Sequence, residues 1–507
     1  MENPIRLILS LLLFLISAAF TYPACAQTVS IPDPALNAAV RAALQKPTGP
    51  LTQQDLLLLT NLSANGLGIQ NVAGLEAARN LTSLNLDDNQ IASFNSLSNL
   101  SKLTSLVLSF NAFTAFSLPA ELTNLGTLNL RGNQLTTFSM PGGLSNLRNL
   151  DLSENLLAGF VLPGASSHLT QLNLAFNQLG ALYLPTDMSD LLDLNLGFNR
   201  LTSLTLPSNL AHLTGLHLNS NQLSSFNLHA GLTNLTRLDL AANHLGHVSL
   251  PADLAHLSTL RISGNHELQN LTLPVGLTSL TSVFLRDNAL ATLTLPPGLT
   301  HLVSIDAIGN RLTSLILPAG LTSLENLFLG GNQITTLTLP ADITKLTSLL
   351  LGLPNNPLES LVLSELLADG NLSDEVLLLR SQGVTVSTFP LALRLVSFHE
   401  TAEGAFAFDL IGPPGTYTLF TSPDLFAWTE VGTLSNSSGT APFTDAAAFL
   451  SSRKFYRASL KGTPQNMVLI APNTSEPGSQ RTNRTGTPMK ARSLRSLGRR
   501  SLPATIE

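Results

Sequence analysis

The chain has 507 residues, of which 11% are charged and 44% hydrophobic, and its formal net charge is −6. This composition excludes a long disordered chain, which needs low hydrophobicity and high charge. Eight of the 26 Lys and Arg residues but only two of the 32 acidic residues lie within 461–507, so the rest of the chain carries a net charge of −12. An acidic body argues against a nucleic acid as the ligand.

Residues 1–26 have the features of a secretory signal peptide. An apolar stretch, Leu7–Phe20, is followed by Ala24-Cys25-Ala26, a small-x-small cleavage site. The apolar stretch is shorter than the roughly 20 residues that a bilayer span needs. We therefore predict export, cleavage after Ala26 and no transmembrane segment in the mature chain. Anchoring as a lipoprotein acylated at Cys25 is the alternative, although the residues before Cys25 fit that pattern poorly.

Cys25 is the only cysteine in the sequence. After cleavage the mature protein has no disulfide, no thiol nucleophile and no cysteine metal site. We accordingly predict no cofactor and no metal. The lack of disulfides favours a bacterial export route, because extracellular repeat proteins of eukaryotes usually clamp their ends with them.

Residues 27–58 are expected to form an N-terminal helical cap. Asp33-Pro34 is typical of a helix start, with proline at the first helical position. Thr52 and Asp55 form a variant of the capping box, which predicts a second short helix. A solenoid needs such a cap to cover its open end.

Residues 59–360 contain about 13 copies of a repeat, some of them degenerate. The frame is seen in Leu81-Thr-Ser-Leu84-Asn-Leu86-Asp-Asp-Asn89, and it returns every 22 residues with one interval of 23. Periods of this length mark solenoid architectures. The asparagines of the frame are Asn89, Asn111, Asn133, Asn155, Asn177, Asn199, Asn221, Asn243, Asn265, Asn288, Asn310 and Asn332.

This frame, LxxLxLxxNxL, resembles the leucine-rich-repeat family. The 22-residue period and the acidic, cysteine-free body resemble bacterial surface proteins of the internalin kind. The resemblance implies a horseshoe solenoid with a parallel β-sheet on its concave face. The physical chemistry agrees, because one Leu-x-Leu strand cannot bury its leucines alone, whereas stacked copies share a continuous core. We expect the asparagine amides to turn inward and pair backbone groups that would otherwise be buried without hydrogen bonds.

A second motif, Leu-Thr-x-Leu-x-Leu-Pro, follows most of the asparagines, as in Leu201–Pro207. Proline has no N–H for a ladder and therefore ends this extended outer segment. We predict a convex side that is extended or turn-like, without long helices. A column of phenylalanines in the outer segment is expected to pack in the core, and it consists of Phe94, Phe116, Phe138, Phe160 and Phe226.

Three further regions follow the repeats. Residues 361–389 are expected to form a C-terminal cap that includes a helix. Residues 390–460 alternate apolar and polar positions between turn signals, which predicts a small antiparallel, sandwich-like β-domain with Trp428 as its core anchor. Parts of this region resemble a C-terminal β-module of many large exported bacterial proteins. Residues 461–507 are rich in Ser, Thr, Pro, Gly and Arg, and are expected to be a disordered basic tail.

The residues between the paired leucines should point away from the core and form an exposed column along the sheet. The first two thirds of this column are polar and acidic, and its last third is apolar. We predict a binding patch in the last third, with unselected surface variation as the alternative interpretation. The patch residues are Arg261, Phe284, Arg286, Asp306 and Phe328. Further candidates for exposure are Phe110, Phe176 and Phe198, each just before an asparagine of the frame.

Four histidines of the repeat region suggest a metal site at first sight. His168, His212, His256 and His301 recur at every second repeat. Two repeats place them about 10 Å apart, too far to share one ion whose bonds to His nitrogens are about 2 Å. We interpret them as turn residues.

The sequence contains no arrangement typical of an enzyme. A nucleophile elbow, a phosphate loop and a His-Glu-x-x-His motif are all missing, and no catalytic cysteine follows the repeats. We predict an exported binding or adhesion scaffold, secreted or on the cell surface, that is a monomer and binds a protein or glycan but not nucleic acid. A structural component of the cell envelope is the alternative. The basic tail is interpreted as a solvated tail, with attraction to an anionic envelope as the alternative.

Overall fold

The computed structural model describes residues 27–461 except 96, 165–167, 353–355, 404 and 447–453. The predicted signal peptide, and the predicted basic tail beyond residue 461, lie outside these residues. The chain forms two compact units. Among the described residues, the first unit comprises those up to 394 with 411–415 and 435–441, and the second comprises those of 395–410, 416–434 and 442–461.

Two helices, α1 (Pro34–Ala43) and α2 (Gln53–Leu56), precede the repeats. The Oδ1 atom of Asp33 accepts hydrogen bonds from the N–H groups at the start of α1, and its Oδ2 atom accepts one from the N–H of Gln70 at 2.8 Å. Burial raises the pKa of Asp33, but these backbone hydrogen bonds outweigh it and hold the pKa below its ordinary value. One carboxylate therefore starts the helix and ties it to the first repeats.

Fourteen short strands within the described residues form one parallel sheet, with neighbours in chain order. They are β1 (Asn61–Ser63), β2 (Ser83–Asn85), β3 (Ser105–Val107), β5 (Thr127–Asn129), β7 (Asn149–Asp151), β8 (Gln171–Asn173), β9 (Asp193–Asn195), β10 (Gly215–His217), β12 (Arg237–Asp239), β14 (Thr259–Arg261), β16 (Ser282–Phe284), β18 (Ser304–Asp306), β19 (Asn326–Phe328) and β21 (Ser348–Leu350). We call this the long sheet. It confirms the predicted repeat solenoid with a parallel β-sheet.

The core of the solenoid is a continuous stack of leucines. Leu84 of β2 pairs in register with Leu106 of β3, and both are fully buried together with Leu86 and Leu108. Burying one leucine side chain stabilises the fold by about 1.5–3 kcal/mol, and every turn adds several. Since each leucine packs against the turns on either side, no repeat has a complete core of its own.

The outer side of the solenoid is extended, and α-helices are lacking among the described residues between 57 and 364. The short strands on this side pair in parallel with each other, in small groups of two or three. They are β4 (Ala115–Ser117), β6 (Thr137–Ser139), β11 (Phe226–Asn227), β13 (Val248–Ser249), β15 (Asn270–Thr272), β17 (Thr292–Thr294), β20 (Thr336–Thr338), β22 (Ser360–Ser364) and β23 (Thr385–Phe389). The phenylalanine column lies in the core as predicted: Phe116, Phe160 and Phe226 are buried, and Phe94 and Phe138 are partly buried against it.

The single 23-residue interval, between Asn265 and Asn288, is absorbed within one turn. In a regular repeat the asparagine Oδ1 accepts a hydrogen bond from the N–H twenty residues earlier, as Asn243 does from Leu223 at 3.0 Å. Asn288 accepts instead from the N–H of Asn265 at 2.8 Å. The inserted residue changes the local hydrogen bonding while the strands of the long sheet keep their register.

Two short helices, α3 (Glu365–Ala368) and α4 (Ser373–Ser381), follow the repeats. Strand β22 precedes them in the chain, strand β23 follows them, and these two strands pair in parallel. None of the helices in the described part of the chain is long and apolar enough to cross a membrane.

The C-terminal strands are β24 (Arg394–Glu400), β25 (Phe406–Ile411), β26 (Gly415–Ser422), β27 (Thr429–Asn436), β28 (Thr440–Asp445) and β29 (Phe455–Leu460). Strands β26 and β29 pair antiparallel, as predicted for this region. The prediction that Trp428 anchors the core is wrong: its side chain is only half-buried, and the Arg457 guanidinium lies 4.5 Å from its ring. Tyr417, Tyr456 and Phe408 are fully buried here instead, and burial raises the pKa of Tyr417 to about 12.

Candidate functional site

The long sheet brings the five residues of the predicted patch together. Register pairs Arg261 with Phe284, Phe284 with Asp306 and Asp306 with Phe328 on four consecutive strands. The Arg261 guanidinium carbon lies 4.6 Å from the centre of the Phe284 ring, a cation–π contact. Arg286 Nη2 lies 3.4 Å from Asp306 Oδ2. We call these five residues the C-terminal patch.

The C-terminal patch is accessible and combines apolar with charged groups. Arg261 and Arg286 are exposed, while Phe284 and Phe328 are half-buried by their neighbours. The column continues on the next strand with Leu350, which is 48% exposed. Aromatic rings at the centre with paired charges beside them are the composition typical of a protein interface. The Arg286 side chain of the Arg286–Asp306 ion pair is half exposed, and a pair at the surface contributes little to stability, about 0–1 kcal/mol.

The polar part of the exposed column has a structural role that the sequence analysis missed. The Oδ1 atom of Asn195 accepts a hydrogen bond from the N–H of Gly197, two residues later, at 3.1 Å. This Asx turn pairs a backbone N–H at the end of the strand. The same bond is made by Asn85, Asn129, Asp151, Asn173, Asp239 and, in the patch, Asp306. The signal in the sequence was the recurrence of Asn and Asp at one slot.

The asparagines of the frame form a buried ladder, with each at most 8% exposed. Asn199 is representative: its Nδ2 donates to the carbonyls of Leu174 and Leu196 at 2.9 and 3.1 Å, and its Oδ1 accepts from the N–H of Leu179 at 3.0 Å. The bond to Leu174 reaches back into the preceding turn. One side chain therefore joins two successive turns by their backbone.

The ladder extends one step beyond the twelve predicted residues. Asn356 is buried, its Nδ2 donates to the carbonyl of Leu329 at 2.8 Å, and its Oδ1 accepts from the N–H of Ile334 at 3.0 Å. The sequence predicts a last degenerate repeat near Asn355, and that residue lies outside the described residues. The interval from Asn332 to Asn356 is 24 residues, so the 22-residue period did not point to Asn356.

Three of the four repeat histidines form a second ladder, on the surface. Nδ1 of His212, His256 and His301 lies 2.8–2.9 Å from a backbone carbonyl 23 residues earlier. The Nδ2 atoms of Asn124, Asn146 and Asn234 occupy the same slot and donate to the equivalent carbonyl. His168 instead pairs with Asp190 at 3.0 Å. The part of the chain that the structure describes contains no group of side chains suited to a metal ion.

The residue before each of the twelve predicted asparagines has a left-handed backbone, with φ between 52° and 72°. Glycine adopts this conformation freely, and Gly132, Gly264, Gly309 and Gly331 occupy the slot in four repeats. Three repeats place a phenylalanine there, where a side chain costs about 1–2 kcal/mol. These are Phe110, Phe176 and Phe198, which are 45%, 48% and 45% exposed.

The three phenylalanines do not form one continuous surface. The ring of Phe110 lies over the backbone of Gly132, where a Cβ atom would come within 2.5 Å of it, and the Arg131 guanidinium is 5.5 Å from its centre. Phe176 and Phe198 stack on each other, with ring centres 4.1 Å apart and planes 8° from parallel. The sequence suggested that the three are exposed, but only the structure shows which of them pair.

Comparison with known proteins supports the leucine-rich-repeat assignment. The model of the BspA-type leucine-rich-repeat region matches residues 195–288 and 239–351, in six copies. The chain is similar to the functional domain of InlJ from Listeria monocytogenes, with 20% identity over 76% of this chain and 97% of that one, and a TM-score of 0.55. It is also similar to the internalin InlF of the same organism, with 23% identity over 70% and 95% of the two chains, and a TM-score of 0.50.

No curated protein matches the sequence, and neither the family model nor these two structures indicates a catalytic family. InlJ is described as including a cysteine ladder, whereas the present chain has one cysteine and a ladder of asparagines. The chain therefore carries leucine-rich repeats of the BspA type within residues 195–351, and its solenoid fold is similar to that of the bacterial internalins, as its repeat pattern predicted.

Proposed function

We propose that this chain is an exported, non-enzymatic scaffold that binds a partner protein through the C-terminal patch. Its fold supports an interaction role, because stacked repeats hold a long row of side chains on a rigid sheet. Export follows from the signal peptide predicted at 1–26, which also predicts a secreted or surface-bound protein. We further propose that residues 27–58 and 361–389 cap the repeats at 59–360, and that 390–460 form an accessory domain.

The observation that carries this proposal is the contact of Arg261 with Phe284 beside the pair of Arg286 with Asp306. Arginine and aromatic residues are over-represented among the residues that dominate binding energy. Here two rings and one guanidinium group lie on three strands of the long sheet, and the Arg286 guanidinium lies just after one of these strands, so one partner surface can contact all four groups. The fixed spacing of the strands limits the entropy that these side chains lose on binding.

Capture of a partner by the full-length protein tests the proposal. The bait is compared with a variant carrying Phe284→Ala and Phe328→Ala, which removes both rings of the C-terminal patch. We expect the variant to bind the captured partner at least about tenfold more weakly, since loss of central aromatic contacts costs more than 1.4 kcal/mol. The matched control is Tyr183→Ala, since Tyr183 is 85% exposed on the outer side of the solenoid.

Two outcomes would overturn the proposal. If a specific partner binds the double variant as tightly as the unaltered protein, the C-terminal patch is not the interface. If the unaltered protein retains no partner and sediments as a self-assembled polymer, the protein is a structural component of the envelope. Retention that is lost in the double variant and kept in Tyr183→Ala supports the proposal.

A further inference from the structure

The stacked pair of Phe176 and Phe198 is a rigid aromatic surface. Its rings are nearly parallel at 4.1 Å, and about half of each residue is exposed. The N–H of Phe176 donates to the carbonyl of Gly197 at 2.9 Å, and the N–H of Phe198 donates to that of Asn219 at 2.8 Å. Because the backbone of both residues is tied into the turn ladder, the rings are held in place before any ligand arrives. We call this pair the aromatic ledge.

Both residues of the ledge have an unfavourable backbone conformation. Phe176 and Phe198 both have a φ of 55°, a region that bulky L-residues rarely adopt. Glycine serves the same slot in other repeats, such as Gly264 and Gly309, so the solenoid does not require phenylalanine there. Strained residues of this kind cluster at binding sites, where the surrounding structure holds them in position.

Amide groups lie in the same repeats as the ledge. Asn173 and Asn195 are on the adjacent strands β8 and β9, and each uses its Oδ1 in an Asx turn. Their Nδ2 groups donate to no acceptor within the described residues, so each offers two N–H donors. A third amide, that of Asn219, lies over Gly197, where a Cβ atom would come 2.6 Å from its Oδ1.

The charge around the ledge is neutral to acidic. The segments 171–177, 193–199 and 215–221 contain no Lys or Arg. Their only carboxylate is Asp193, whose Oδ2 lies 3.6 Å from His217 Nε2. Without a cation, these segments are poorly suited to phosphate, sulfate or a polymer of acidic sugars.

We propose that the aromatic ledge and the amides of Asn173, Asn195 and Asn219 form a binding site for a neutral oligosaccharide of hexopyranose units. A pyranose ring has an apolar face of C–H groups, which packs on an aromatic ring, and a rim of hydroxyls, which accept hydrogen bonds from amide N–H groups. The site uses residues 171–221 and goes beyond the protein partner proposed for the C-terminal patch.

Titration calorimetry of the full-length chain with four soluble neutral probes tests this site: cellohexaose, maltohexaose, mannohexaose and fully N-acetylated chitohexaose. For whichever probe binds, replacing both ledge residues, Phe176→Gly and Phe198→Gly, is expected to weaken binding at least about tenfold, because the stacking surface is lost. Glycine is chosen because this slot accepts it elsewhere, and thermal unfolding of the variant verifies that the fold is intact.

A second variant separates the amide donors from the backbone role of the same residues. Asn173→Asp with Asn195→Asp keeps an oxygen for each Asx turn, as Asp151 and Asp239 do, but removes the N–H donors. We expect it to weaken saccharide binding several-fold at unchanged melting temperature. The C-terminal patch variant, Phe284→Ala with Phe328→Ala, is expected to bind the saccharide like the unaltered protein, so the two proposals fail independently.

Three results would overturn the saccharide site. One is that none of the four probes binds. Another is that a probe binds with the same affinity when the ledge carries two glycines. The third is that the ledge variant loses a captured protein partner while no probe binds, which makes the ledge a protein contact.

Discussion

The exposed column of the long sheet has two regions whose side chains do different things. In the first, Asn and Asp side chains each accept a hydrogen bond from the backbone two residues later, as Asn195 does from Gly197. In the second, Asp306 still makes this bond, but Arg261 and Phe284 have no side-chain oxygen for it and contact each other. A polar column in a repeat protein is therefore not a binding surface merely because it is polar. The groups left over for a ligand are those that pair no backbone group of the fold, such as Arg261 and Phe284.

The largest effect is expected where a side chain serves buried backbone. Asn199→Ala removes the donor to three carbonyls and the acceptor for one N–H. We expect the free energy of unfolding, measured with urea, to fall by about 2–3 kcal/mol, because the buried N–H of Leu179 loses its acceptor and the carbonyls of Leu174 and Leu196 each lose one of two amide donors. Asn195→Ala is the matched control, since its single bond is at the surface. If both variants lose the same free energy of unfolding, the burial of Asn199 does not make its hydrogen bonds more stabilising than the surface bond of Asn195.

The Asx turns of the first region should be separable from its charge. Asp239→Ala is expected to lower the free energy of unfolding by about 0.5–1.5 kcal/mol, because the N–H of Ala241 loses its acceptor. Asp239→Asn keeps that acceptor and should leave stability unchanged. Urea unfolding of both variants measures the difference. If Asp239→Asn and Asp239→Ala destabilise the protein equally, the carboxylate acts through its charge and not through the turn.

The surface ladder predicts a smaller effect of the same kind. His212→Ala removes one exposed hydrogen bond to the carbonyl of Ser189. This loss should lower the free energy of unfolding by about 0.5 kcal/mol, the low end for a single hydrogen bond. His212→Asn should be neutral, because Asn234 donates to the equivalent carbonyl. The melting temperatures of the two variants test this, and a loss with asparagine as large as with alanine would contradict it.

The aromatic ledge is expected to show almost no stability effect. Phe198→Gly relieves a left-handed backbone worth about 1–2 kcal/mol and gives up a ring contact worth about 0.5–1.5 kcal/mol together with some chain entropy. We expect a net change in the free energy of unfolding below about 1 kcal/mol, by urea unfolding. Phe198→Val is the contrasting variant, because a β-branched residue tolerates this backbone poorly. A glycine variant as unstable as the valine variant would show that the ring is needed for folding.

The smallest effect concerns acid sensitivity at the N-terminal end. Hydrogen bonds from Lys46 and Thr52 hold the pKa of Asp55 at about 2, below its ordinary value of 3.8. A carboxyl group whose pKa is lower in the folded state than in the unfolded state stabilises the fold at any pH above its pKa in the unfolded state. This stabilisation is lost as the pH falls toward the pKa in the folded state. The melting temperature, measured from pH 5 down to pH 2, should therefore decrease slightly less steeply for Asp55→Asn than for the unaltered chain. Parallel curves would mean that this capping box adds no acid-sensitive stability.

The sequence by itself determined the solenoid, because a 22-residue period with two leucines per strand can bury its apolar face only by stacking. The same period predicted which asparagines repeat with it, since each must meet the backbone at the same point of its turn. Only the tertiary structure showed that the polar column is engaged by Asx turns and that Phe176 stacks on Phe198 while Phe110 does not. It also placed Tyr417 and Tyr456, not Trp428, in the core. These outcomes depend on side-chain directions and on neighbours in other repeats, which a one-dimensional pattern does not contain.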